Sequence, residues 1–144
     1  MPIKVLSIDD DVNMTKLLGI LLRGYGMDTL SANSSELGLE LARSEKPDVI
    51  TVDLMMPNIS GWKLCNMIRS FSKTPIIIIT AVNDPVSIAA GLAAGANDYI
   101  VKPIRGNRLV TSIDKVVHLV DRSNDKSAVQ QSNDAERQLP GTSE

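Results

Sequence analysis

The run Ile76–Thr80, four isoleucines and a threonine opened by Pro75, constrains the fold more than any other part of this chain. Successive side chains of a strand point to opposite faces, so this run is apolar on both. Such a strand belongs in the middle of a sheet covered by helices on each side, the habit of parallel sheets. Four further segments read as strands: Ile3–Ile8, a weaker one near Met27–Ala32, Val49–Val52 closing on Asp53, and Tyr99–Val101.

Helical periods fill the gaps. Met14, Leu17, Leu18 and Leu21 stand at i, i+3, i+4 and i+7, one face of a helix that Gly24 and Gly26 end. Asn33 with Glu36 three residues on predicts a capped start for a second helix, with Leu37, Leu41 and Ala42 on its inner face and Lys46-Pro47 as its stop. Ser60 caps a third, striped by Leu64, Cys65, Ile68 and Phe71. Asp84-Pro85 reads as a cap and first helical position, opening an Ala-rich fourth helix that ends at Gly95. Leu109, Ile113, Val116, Val117 and Val120 line a fifth. Strict alternation predicts an α/β fold, a doubly wound parallel (βα)5 sheet with right-handed crossovers. From Ser123 onward large apolar residues give way to Ser, Gln, Asn and Asp. Residues 1–122 are therefore expected to form one domain, and 123–144 a flexible polar tail or the start of a linker.

A net charge of −2, with no Lys/Arg cluster along the sequence, lacks the electrostatic footprint of a nucleic-acid binder. The single cysteine, Cys65, rules out an internal disulfide and reads as a small core residue. No apolar run approaches the roughly 20 residues of a membrane helix, and the opening Met-Pro-Ile-Lys-Val is unlike a signal peptide. No membrane partner and a cytoplasmic location are the expectations.

The chemistry gathers at strand ends. Asp9, Asp10 and Asp11 follow the first strand, Asp53 the third, Thr80 ends the fourth and Lys102 follows the fifth. In an open parallel sheet the carboxyl ends of the strands share one edge, where ligands bind. Crowded carboxylates repel, and a hard cation such as Mg2+ relieves them. The absence of a His/Cys cluster argues against zinc. A carboxylate can also be a nucleophile toward a phosphoryl group, and an ammonium with a hydroxyl can then neutralise and position the phosphoryl oxygens.

These segments resemble the receiver domain of two-component response regulators: Val5–Asp11, Pro47–Pro57, Gly61, Pro75–Ala81 and Asp98–Pro103, in that order and spanning roughly residues 3–121. The resemblance implies a flavodoxin-like sheet of strand order 2-1-3-4-5. It implies Asp53 as phosphoacceptor, Asp10 and Asp53 as Mg2+ ligands with Asp9 close by, and Met55 giving a backbone carbonyl to the ion. Thr80 and Lys102 would bind the phosphoryl oxygens, Lys102-Pro103 would be cis, and Tyr99 would pair with Thr80 as a switch. The phosphoryl donor would be a sensor histidine kinase or a phosphotransfer protein. The domain would catalyse only its own phosphorylation and dephosphorylation. Its surface of fourth helix, fifth strand and fifth helix would then control an output partner or a missing effector domain, with phosphorylation-dependent homodimerisation possible there and Asp98 and Arg105 able to pair across it. Two apolar residues, Met55 and Val82, stand where such domains tune phosphoryl lifetime, which predicts a long-lived phosphoryl group.

Rival readings remain at this stage. A haloacid-dehalogenase-type phosphatase shares the nucleophile and Mg2+ but wants a second Asp where Met55 stands. A flavodoxin wants a Ser/Thr/Gly-rich loop after the first strand, and a pseudo-receiver would serve only as an interaction module. Asp11 reads mainly as a helix cap. Tyr99 could be only a core aromatic, Trp62 either kinase-facing or partly packed, and His118 a surface residue.

Overall fold

A computed structural model describes residues 2–119. Strands β1 (Lys4–Ile8), β2 (Asp28–Ala32), β3 (Val49–Val52), β4 (Ile76–Thr80) and β5 (Asp98–Val101) alternate with helices α1 (Val12–Gly24), α2 (Ser35–Ser44), α3 (Gly61–Arg69) and α4 (Pro85–Ala93). A fifth helix, α5, occupies 106–119. The five strands are parallel, in the order β2-β1-β3-β4-β5. Val120 and the tail expected at 123–144 lie outside the described residues.

The isoleucine run behaves as its composition requires. Ile76 and Ile78 enter the core on one face of the sheet with Ile50, Val52, Ala42 of α2 and Leu64, Cys65 and Ile68 of α3. Ile77 and Ile79 enter the other with Leu18 and Leu22 of α1 and Leu109, Ile113 and Val116 of α5. Every residue of β4 is buried. Two apolar cores thus press on the central strands from opposite sides, and the doubly wound architecture follows.

Most helix boundaries stand where their caps predict. The Asp11 carboxylate accepts from the backbone N–H groups of Asn13 and Met14, Ser60 from Lys63 and Asp84 from Ser87, with Pro85 in the first turn. The start of α2 differs by one residue. Ser34, not Asn33, is the cap, accepting from Leu37 N–H. The Asn33 amide instead donates to the Asp9 carbonyl at 2.8 Å and to Thr15 Oγ1 at 3.0 Å.

Two inner faces are also corrected. Leu17, assigned to the buried stripe of α1, is 52% exposed, and Leu22 fills the core position instead. Leu37 of α2 is 40% exposed, and the buried face of α2 is Ser35, Gly38 and Ala42. The cause is distance: α2 lies so close to β1 that a Cβ on Gly38 would fall 2.7 Å from Ile8 Cδ1. Large residues suit a helix face that stands off the sheet, and small ones a face that touches it.

That contact yields a stability prediction. Gly38→Ala gains up to about 1 kcal/mol in helix propensity, yet forces Ile8 from its place at a cost of about 1–3 kcal/mol. A lower urea midpoint with an unchanged m-value is the expected outcome.

Candidate functional site

Because all strands run the same way, their last residues meet at one edge. Asp53 N–H donates to the Ile8 carbonyl at 3.1 Å, Asp9 N–H to Ala32 at 3.0 Å and Lys102 N–H to Thr80 at 2.9 Å. These bonds carry the sheet ladder one step past the strand ends and hold the functional residues at fixed heights.

Side chains then converge. The Lys102 ammonium stands 3.1 Å from Asp53 Oδ2 and 3.1 Å from Asp9 Oδ2, although it lies 49 and 93 residues away from them along the chain. Asp9, Asp10 and Asp53 each bring a carboxylate oxygen within 4.8 Å of the other two. Asp9 and Asp53 are 4% and 7% exposed, whereas Asp10 faces solvent. Asp53 Oδ1 accepts from Met55 N–H at 3.1 Å, and Asp9 Oδ1 from Asp11 N–H at 2.9 Å.

The electrostatics are unbalanced. Burial, the largest influence, pushes the Asp9 carboxyl above its usual range, and the Asp53 charge adds to it against the Asp11 N–H and Lys102. Burial works against the Lys102 ammonium too, but its bonds to Asp53 and Asp9 more than offset this and hold its pKa above the ordinary lysine value. Lys102 therefore keeps its charge through neutral pH, and its stabilising effect is lost only as pH rises through its raised pKa. Three carboxyl groups share the pocket with one ammonium, an acidic excess of two in formal charge. An all-oxygen donor set with that excess fits a hard divalent cation.

Loop architecture supports the pocket. Gly61 N–H donates to the Leu54 carbonyl at 3.0 Å, closing the β3–α3 loop back on itself. A Cβ there would fall 2.6 Å from Leu54 Cα, against rigid backbone, so only glycine lets α3 start this close to Asp53. The bond between Lys102 and Pro103 is cis.

Thr80 is fully buried at the end of β4, in register with Val101, which precedes Lys102. Its Oγ1 accepts from Val82 N–H at 3.4 Å, and the Tyr99 hydroxyl donates to the Val82 carbonyl at 2.6 Å. Thr80 and Tyr99 thus hold the two backbone polar groups of one residue. Burial, with the Asp84 and Asp53 charges, holds the Tyr99 phenol above its ordinary pKa.

Asp98 lies against α5 of its own chain. It accepts from Ser112 Oγ, and Arg108 Nη1 and Lys115 Nζ stand 3.5 and 3.4 Å away on α5 of the same chain. Burial opposes its charge, but Ser112, Tyr99 N–H and the two cations prevail and hold its pKa below the usual carboxylate value. Cys65 is buried, with its thiol pushed up to about 11 by desolvation. His118 is exposed, and Trp62 packs partly against the core beneath α3. Asn33, expected as a helix cap, instead ties the acidic loop to α1, a role that no sequence signal marked.

Fold and pocket together define a flavodoxin-like domain with its polar site at the carboxyl edge of the sheet. The chain belongs to the response regulator receiver domain family, whose model matches residues 5–114. The transcriptional regulatory protein AfsQ1 of Streptomyces coelicolor is 40% identical over 124 residues, covering 86% of this chain and 55% of AfsQ1. The DNA-binding response regulator MtrA of Mycobacterium tuberculosis is 37% identical over 110 residues, 76% of this chain and 48% of MtrA. The chain spans about half the length of these curated relatives. A two-component response regulator from Clostridium difficile superposes with a TM-score of 0.78 at 28% identity, covering 81% of this chain and 96% of that one. For the Francisella response regulator 1452 receiver domain the values are 0.77, 30%, 81% and 98%. Among the described residues, no helix is long and apolar enough to cross a membrane.

The raised pKa of Asp9 sets a stability prediction. A carboxyl that holds its proton more tightly when folded costs stability, and the cost grows as pH rises from its unfolded value through its raised folded one. Asp9→Asn should therefore raise the Tm measured without Mg2+. Millimolar Mg2+ should then raise the Tm of the parent protein more than that of the variant, as scanning calorimetry with and without Mg2+ can measure.

Proposed function

We propose that this domain accepts a phosphoryl group on Asp53 from the phosphohistidine of a sensor kinase or phosphotransfer protein. The observation that carries this reading is Lys102, held between Asp53 and Asp9 in a pocket with surplus negative charge. An Asp53 oxygen attacks phosphorus as the P–N bond breaks, and the departing imidazole takes up a proton. Lys102 releases part of its hold on Asp53 and pairs with one phosphoryl oxygen. The Thr80 hydroxyl donates to another. Preorganised donors of this kind stabilise charge that develops in transfer.

Asp10 and Asp53, with Asp9 nearby and the Met55 backbone carbonyl, would hold Mg2+. The ion would shield Asp53 from its neighbours and neutralise phosphoryl charge. The domain acts on itself and turns over no separate substrate.

Thr80 and Tyr99 are the proposed switch pair. Thr80 Oγ1 only accepts in its long, 3.4 Å bond from Val82 N–H, which leaves its hydroxyl hydrogen for a charged phosphoryl oxygen, a strong acceptor. Movement of Thr80 would shift Val82 and with it the Tyr99 hydroxyl. The β4–α4 loop, α4, β5 and α5 would then present a changed surface, a bias on a two-state equilibrium. That surface would meet an output partner, or a second copy of the chain. DNA binding of the kind the name of MtrA declares would belong to an effector region and not to residues 5–114, whose charge is unsuited to it. A cytoplasmic setting is in keeping with a kinase partner.

Two measurements test the site. Acetyl phosphate with Mg2+ should add one phosphoryl group by intact mass, and Asp53→Asn should take up none. An unmodified parent protein, or a modified variant, would exclude Asp53. The phosphoryl group should then persist for minutes, because neither Met55, 61% exposed, nor Val82 has a side chain able to position an attacking water. Loss within seconds by phosphate release would contradict that role for these two residues.

A further inference from the structure

The opposite edge of the sheet carries a second concavity, of different character. Arg43, Lys46, Phe71, Ser72, Lys73 and Thr74 line a cavity of about 390 Å3 between the end of α2 and the α3–β4 loop. Arg43, Lys46 and Lys73 are exposed, and the Arg43 guanidinium lies 4.2 Å from the Phe71 ring centroid. Behind the wall stands Arg69. It donates to the Ser72 and Thr74 carbonyls at 3.3 and 2.7 Å, to Gly95 at 3.1 Å and to Asn97 Oδ1 at 2.9 Å. Every one of these acceptors is neutral.

Among the described residues, none of these four cations is ion-paired. The acids of the α2–β3 connection are committed elsewhere: Glu45 to Lys4 Nζ and Asp48 to Lys4 N–H. Arg43 and Arg69 lie in the last turns of α2 and α3, where cations complement the helix dipoles. Two helix ends weigh about one negative charge together, and four cations outweigh them. The hydroxyls add a donor. Thr74 Oγ1 accepts from Ser72 Oγ at 2.7 Å, which leaves the Thr74 hydroxyl hydrogen to be given away.

We propose that this cup binds an oligophosphate chain, either free or carried by a nucleotide. Its volume is that of a small-ligand pocket, which favours a compact polyanion over an extended acidic segment. Arg43 can bind phosphate oxygens through its fork and Lys46 and Lys73 as point charges. The site is separate from Asp53 and does not depend on its phosphorylation.

Titration of the 144-residue chain with sodium triphosphate and with ATP, in Mg2+-free buffer at physiological salt and followed by 15N–1H spectra, tests this. The expected result is saturable shifts at Lys46 and Phe71–Thr74 with Kd of about 0.1–0.5 mM. Lys46→Glu/Lys73→Glu should weaken binding at least tenfold, and the milder Lys46→Gln/Lys73→Gln pair should weaken it less. Asp53→Asn should leave it unchanged. Equal affinity for both probes identifies the phosphate chain as the ligand, and tighter binding of ATP identifies a nucleotide. Shifts that fail to saturate, that sulfate reproduces at equal ionic strength, that cluster around Asp53, or that survive both double variants would overturn the proposal.

Discussion

Everything at the acidic edge depends on one ammonium. Lys102 meets Asp9 and Asp53 at equal distance, and it does so because β5, β4, β3 and β1 run parallel in a single register. Were one strand reversed, its terminal residue would stand at the far edge, and the carboxylates would face one another without a cation. The buried isoleucines of β4 make the arrangement rigid. With apolar cores on both faces, the strand has no other place to go.

The pocket is a compromise between stability and chemistry. Burial raises the Asp9 pKa, a sign that the folded chain holds a carboxylate where the chain alone would prefer a neutral group. Such a cost is tolerable because a few favourable interactions elsewhere can offset it. Asp98 shows the opposite case, a carboxylate with a hydroxyl, a backbone N–H and two cations around it. Its effect on stability is complete at neutral pH and is lost as pH falls through its lowered pKa. The first carboxylate is held against the penalty of its burial and the second is favoured by its surroundings.

Periodicity and punctuation made the architecture legible. Alternating apolar runs, caps at Asp11, Ser60 and Asp84 and the first-turn Pro85 predicted the element order. Which side of a helix touched the sheet was less accessible. Leu17 and Leu37 satisfied the period and still face solvent, because period defines a stripe but not the distance at which the stripe packs. Asn33 lies beside a better cap, and its bond to the Asp9 carbonyl spans a separation no local pattern records.

The order of residues alone determined which groups end the strands: Asp9, Asp53, Thr80 and Lys102 follow their apolar runs by simple adjacency. Tertiary structure decided what those groups meet. The 3.1 Å contacts of Lys102, the shared hold of Thr80 and Tyr99 on Val82 and the cationic cup at the far edge join residues from separate elements. A charge scan along the chain finds no basic cluster, because Arg43 and Lys73 become neighbours only when α2 and the α3–β4 loop are packed on the same sheet. Adjacency is a property of the chain, but proximity in space is set by the burial of apolar surface, which brings together whatever polar groups the connecting loops carry.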